Sequence, residues 1–202
     1  IVKVENECQI LAPDGKEFAP AVEGQAYPYG TTIKTGRKSS VVISFTDGNE
    51  CRLLARTELI VSQDTKDQKL KTLKLAAGKI NVSLQPDFHK HNSLNVETPT
   101  AVCGAIECVF EVEVGRILGG MVQSLFTSVK GRISVEGEGF SVPVMTDGAQ
   151  LQVTGNRDGT EVNVVVKSGS LQVRVTDANG QPKTIEIPEG TKIHVSRKIL
   201  EG

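Results

Sequence analysis

Apolar and polar residues alternate with a period of two through most of this chain, and the alternation is broken at regular places by glycine. Leu75-Ala76-Ala77-Gly78-Lys79-Ile80-Asn81-Val82 shows the pattern, as do Val129-Lys130-Gly131-Arg132-Ile133-Ser134-Val135 and Val166-Lys167-Ser168-Gly169-Ser170-Leu171-Gln172-Val173-Arg174-Val175. Apolar residues two apart place one face of an extended strand against a core. A glycine at the same place in each unit marks a bend or a close backbone approach. The pattern predicts an all-β fold of stacked β-hairpins, forming a short β-solenoid or a rolled β-sandwich. The interval from Gly131 to Gly169 suits one repeat of such a body.

Along the chain, strands are expected at Val2-Lys3-Val4, around Ile33, and at Ser40–Phe45 and Cys51–Leu54, the last two joined by a hairpin turn at Asp47-Gly48. Ala12-Pro13-Asp14-Gly15 reads as a tight turn. Gln63 to Lys71 is polar and charged and reads as a solvated loop. Leu73 to Leu84 holds two strands about Gly78, and Pro86 to Ser93 reads as a second polar loop. Asn95 to Val114 is the most strongly β stretch; Val109 to Val114 places Glu111 and Glu113 on one face. Gly115 to Ser128 reads as a loop or one helical turn, because Gly119-Gly120 weakens any helix, with a strand following at Thr127–Val129. Later strands are expected at Phe140–Val144, Leu151–Val153, Glu161–Val175, Thr184–Ile187 and Thr191–Val195, with turns at Asp147-Gly148, Asp177–Gly180 and Glu189-Gly190. Pro143 and Pro188 cannot donate to a ladder and belong at edges, bulges or strand ends.

Composition narrows the picture. The 202 residues include no Trp, and aromatic residues make up 4% of them, so the core must be built from Val, Ile and Leu. A formal net charge of -1 gives no basic excess for phosphates, which argues against a nucleic-acid partner. No run approaches the apolar length of a membrane span. The first residue is Ile1, within a strand-like Ile1-Val2-Lys3-Val4, which suggests a processed or truncated product. Cys8, Cys51, Cys103 and Cys108 allow three complete pairings that sequence does not choose among. Cys103 and Cys108, five apart, would face opposite ways on a continuous strand. Buried free thiols are the simpler reading, and Cys8–Cys51 is the first pairing to consider otherwise.

Three stretches resemble the FecR-domain family, the extracytoplasmic domain of sigma-factor regulators. Tyr29-Gly30-Thr31-Thr32-Ile33-Lys34-Thr35-Gly36-Arg37-Lys38-Ser39-Ser40, with Val41 to Phe45 and Asp47-Gly48, is similar to that family's I-x-T-G, serine, strand and D-G segment. Leu73-Lys74-Leu75-Ala76-Ala77-Gly78-Lys79-Ile80 resembles its L-x-x-G-x-V. Val96-Glu97-Thr98-Pro99-Thr100-Ala101-Val102-Cys103-Gly104-Ala105, followed by Phe110-Glu111-Val112, resembles V-x-T-P-x-A-x-x-G and F-x-V. Where the family often has Gly-Thr, Glu107-Cys108 stand here, the mark of a divergent member. The resemblance implies a FecR-like β domain over residues 1–153, with 154–202 an additional β-hairpin unit continuing the same body. It also implies a non-catalytic protein-binding and sensing module, periplasmic or otherwise at the cell surface. Its partner would be a protein, a receptor signalling domain or a regulator.

Candidate chemistry does not displace that reading. His89 and His91 could form a metal pair, but they sit in a polar stretch with no third ligand nearby in sequence, and His194 is far away. Glu111 and Glu113 fit a solvated sheet face better than a catalytic pair. No G-x-S-x-G occurs; Gly119-Gly120 and Gly137-Glu138-Gly139 lack a phosphate-loop setting, and Asn156-Arg157-Asp158-Gly159 reads as a turn. No catalytic, cofactor-binding or metal residue is therefore assigned, and no enzyme activity is expected. Ile117, Leu118, Met121, Leu125 and Phe126 could form a partner-binding stripe, although packing on the body explains them better. Two alternatives use the same scaffold: an exported structural or surface protein, and a carbohydrate-binding β-solenoid, for which only Tyr27 and Tyr29 would be the tyrosine platforms.

Overall fold

A computed structural model describes residues 1–64, 66, 69–85, 93–156, 161–176 and 180–196, with the backbone alone for Ile106, Glu107, Leu118 and Ser196. His89, Lys90 and His91 lie outside the described residues, as do most of the turns expected near 157 and 177. The described chain is almost entirely strand, in order β1 (Lys3–Glu5), β2 (Cys8–Leu11), β3 (Ala19–Pro20), β4 (Thr32–Thr35), β5 (Ser40–Ser44), β6 (Glu50–Leu53), β7 (Glu58–Gln63), β8 (Leu70–Ser83) and β9 (Ser93–Glu97). There follow β10 (Ala101–Arg116), a single 3-10 turn at Leu118–Gly120, β11 (Val122–Gly137), β12 (Phe140–Met145), β13 (Gln150–Gly155), β14 (Glu161–Ser168), β15 (Leu171–Thr176), β16 (Pro182–Ile187) and β17 (Lys192–Ser196).

The pairings resolve these strands into two layers. One runs β3-β2-β4-β7-β8-β9-β10-β11-β12-β15-β16, and the other runs β1-β5-β6-β8-β10-β11-β13-β14-β17. Three long strands belong to both. The first arm of β8 pairs with β7 and, in parallel, with β9, whereas its second arm, from Gly78 to Ser83, pairs with β6 and β10. β8 bends at Gly78 and β11 at Gly131, each with φ +90°, and β10 turns through a register shift between Ala105 and Cys108. The other crossings join separate strands at Asn6 (φ 60°), Lys38 (56°), Arg56 (55°), Gly148 (78°), Gly169 (84°) and Gly190 (79°). A positive φ reverses the local hand of the chain, so the same inward face continues from one layer to the next. Glycine takes that conformation at no steric cost. The periodic glycines of the sequence are thus corners between layers, and the hairpins lie to either side of them.

The corners fall on two opposite flanks. Gly36 N donates to Glu7 O, Arg56 N donates to Gly36 O and Lys79 N donates to the Thr57 hydroxyl, so the first four corners are neighbours along one flank. Gly78, however, stands opposite Val114, while Ser83 stands opposite Val109 and Cys108 opposite Gly131. The corners from β10 onward therefore line the other flank, where Gly148 N donates to Ser128 O and Gly190 N to Val166 O. Between the two halves, the arms of β8, β9 and the arms of β10 close a ring of five segments. Each half opens on the flank opposite its own corners.

The two inner faces share one aliphatic core. Phe110 and Phe126 are its largest fully buried side chains, set among Leu53, Leu59, Leu73, Ile80, Leu94, Ile133 and Leu151, all 2% exposed or less. β10 shows the alternation plainly: Phe110, Val112 and Val114 are buried, Glu113 is exposed, and Glu111 pairs with Lys79 at 2.6 Å. The register shift adds one residue of offset, so Cys103 and Cys108 both point inward; the opposite facing expected of a continuous strand does not occur. All four cysteines are free.

Two loop expectations are corrected. β7 runs to Gln63 and β8 starts at Leu70, so the expected solvated loop is a shorter hairpin, and Lys71 is 4% exposed. β11 begins at Val122, not Thr127, because Val122 and Phe126 find places in the core that the glycine pair only interrupts at 118–120. Pro143 sits where the β11–β12 register shifts, and Pro188 follows the end of β16.

Candidate functional site

The Thr98-Pro99-Thr100 loop joins β9 to β10 at the open flank of the second half. Pro99 fixes its own φ and holds Thr98 extended. The Thr98 hydroxyl donates to Ala101 O (2.8 Å) and accepts from Ala101 N (3.1 Å), Thr100 N (3.3 Å) and Ser124 Oγ (3.0 Å). Thr100 Oγ1 donates to Ser124 Oγ at 2.6 Å. Ser124 belongs to β11 in the other layer and is fully buried. One side chain thus organises a three-residue loop and ties the layers together across their open side. Buried hydroxyls require partners, and these have them.

Two glycines let the neighbouring strands approach. A Cβ on Gly137 would lie 2.3 Å from the Phe140 ring and 3.1 Å from Thr100 O, and one on Gly155 would lie 3.0 Å from Glu161 O. The loop, the end of β11 and the end of β13 enclose an open groove of about 400 Å³. Its walls include Pro99, Thr100, Glu136, Glu138, Asn156 and Val162. Glu136 and Glu138 are exposed. Hydroxyl groups and two exposed carboxylates give the groove a polar lining.

A second tie closes the open flank of the first half. The Lys71 ammonium pairs with the Asp47 carboxylate of the β5–β6 turn and sits 5.3 Å from the centroid of the Phe45 ring. Burial pushes the Asp47 carboxyl up, but hydrogen bonds from Lys71 and Asn49 and the lysine charge outweigh it, and the net shift is downward. Asn49 extends the tie, accepting from Gln85 N at 2.7 Å. Sequence reasoning missed this pair because each residue sits in a polar run that looks solvated; only the layer crossing brings them together.

The other sequence candidates are dispersed. Glu111 and Glu113 lie on the outer face of the second layer; Glu113 is one position in register from the Val114–Ser124 pair but on the opposite face from the buried Ser124. His194, on β17, faces Asn163 at 3.1 Å. Of the apolar stripe, Phe126 is core and Ile117 is 44% exposed. Burial holds the Cys51 and Cys103 thiols far above their ordinary range, with Cys108 adding to the effect at Cys103. Among the described residues no three His, Cys, Asp or Glu side chains are grouped to hold a metal, and no helix is long and apolar enough to cross a membrane.

Comparison with known proteins gives one family and one fold. Two crystal structures of a "putative anti-sigma factor" from Parabacteroides distasonis ATCC 8503, at 2.50 and 1.65 Å resolution, superpose on this chain with a TM-score of 0.51 at 12% identity. The alignment covers 79% of this chain and 60% of that one, so the chain spans less than two thirds of its structural neighbour. At that identity the likeness is one of fold. No curated protein matches the sequence. The family model described as FecR protein matches residues 31–122, a narrower span than the motifs suggested, running from the strand before the first I-x-T-G corner through the Thr98 loop to the start of β11. Over residues 31–122, rather less than half of its length, this chain matches the FecR family.

Proposed function

We propose that this chain is an extracytoplasmic, non-catalytic protein-binding module of FecR type, which senses a receptor signalling domain and passes that state to a sigma-factor regulator. The FecR match carries the reading, because it spans the Thr98 loop and one wall of the groove beside it. FecR-family proteins are signal-transduction regulators. The groove supports a docking role: it is open, polar, and built on a loop whose hydrogen bonds fix its shape before any partner arrives, which lowers the ordering cost of binding. Residues 1–153 are proposed as the FecR-like domain, with 154–202 a further unit of the same body. Its β14 and β15 continue the ladders of β13 and β12.

The test is a binding measurement between this chain and a panel of exported receptor signalling domains. Saturable binding that weakens when Glu136 and Glu138 are changed to Gln supports the proposal. Absence of binding across the panel rejects it.

A further inference from the structure

We propose that a second copy of this chain pairs with the first through the edge of β17 that no other described strand occupies, in antiparallel register about a two-fold axis at His194. The inference is independent of the receptor-sensing reading.

The two ends of the body are finished differently. At the N-terminal end the 19–25 segment covers both layer edges. β3 pairs with β2, Ala21 N donates to Cys8 O, Gly24 N donates to Ile1 O, and Val4 N donates to Glu23 Oε2. At the C-terminal end β16 and β17 each pair on one side only among the described residues. Among the described residues the core there is incompletely covered: Ile185, Ile193 and Val195 pack against it while remaining partly exposed. An edge that leaves backbone groups and aliphatic side chains open is a template for another strand.

The two edges are not equally available. β16 starts at Pro182, which has no N–H to donate to a further strand and blunts the edge. β17 has no proline and alternates exposed Lys192 and His194 with half-buried Ile193 and Val195. An antiparallel pair centred on His194 sets Ile193 opposite Val195 twice, on the inner face, so the aliphatic core runs on into the second copy. On the outer face it sets Lys192 opposite Ser196. Ser196 itself stands opposite Glu161 of β14. Lys192 of one copy then lies two strands, about 9.6 Å, from Glu161 of the other, within reach of two long side chains. Both residues are exposed, and neither has an ion-pair partner among the described residues. The pairing supplies each with one, twice by symmetry, as an isologous interface requires.

Sedimentation equilibrium on the intact chain, from micromolar to millimolar concentration, tests this. The expected result is a reversible monomer–dimer equilibrium, weakened severalfold by Lys192→Glu or Glu161→Lys and restored in the Lys192→Glu/Glu161→Lys double variant. Far-ultraviolet circular dichroism confirms that each variant is folded. A wild-type chain that stays monomeric throughout, or a dimer indifferent to both single changes, overturns the proposal.

Discussion

Replacing Gly78 with alanine separates two costs that the corners impose. Gly78 sits at φ +90°, and a Cβ there would lie 2.4 Å from both Cα and Oγ1 of Thr57 and 2.7 Å from Arg56 O. Gly148 occupies an equivalent corner at φ +78° with nothing within 4 Å of the same position. Both substitutions incur the left-handed backbone cost of about 1–2 kcal/mol, and both share the same gain from a less flexible unfolded chain. Only Gly78→Ala must also push apart two packed corners, an overpacking cost of about 1–3 kcal/mol. Urea unfolding of the pair, read at constant m, should therefore place Gly78→Ala about 1–3 kcal/mol below Gly148→Ala. Equal destabilisation, within about 0.5 kcal/mol, would refute the close corner-to-corner packing on which the layer crossing rests.

Other substitutions probe the ties and the surface. Thr98→Val removes the hydroxyl that organises its loop and deprives buried Ser124 of a partner; urea unfolding should show a loss of about 1–3 kcal/mol. Asp47 has its carboxyl depressed in the folded state, so its contribution is present above the ordinary aspartate range and disappears as pH falls through the folded value. The stability gap between wild type and Asp47→Asn, measured by thermal unfolding against pH, should accordingly be widest near neutrality and close in acid. Glu111→Gln breaks a half-exposed ion pair with Lys79, and its unfolding midpoint should move by less than about 1 kcal/mol equivalent. A thiol reagent at neutral pH should label the native protein slowly and the urea-unfolded protein at all four cysteines, since all four are buried and free.

How much of this was legible in the sequence depends on whether neighbours in space are neighbours in the chain. The strands of β10, β13 and β14 were readable because Phe110/Val112/Val114 and Val162/Val164/Val166 alternate without interruption. The glycines at 78, 131 and 169 were readable as bends, but a bend within one layer and a corner between two leave the same mark in sequence. Lys38 and Arg56 turn equivalent corners without glycine, and nothing in their composition announces it. The inward facing of both Cys103 and Cys108 depends on one residue of register at 105–108, which periodicity alone does not resolve. The Thr98-Pro99 motif was visible, whereas its partner Ser124, a polar residue on an inward position of an aliphatic strand, acquires meaning only when the layers meet.

Cross-strand nuclear Overhauser effects along β8 test the layer crossing most directly. The fold predicts contacts of Leu73 with Val96 in a parallel pattern and of Ile80 with Val112 in an antiparallel one, on a single strand that continues through Gly78. Contacts instead between Leu75 and Ile80, as a hairpin turning back at Gly78 would give, would contradict it.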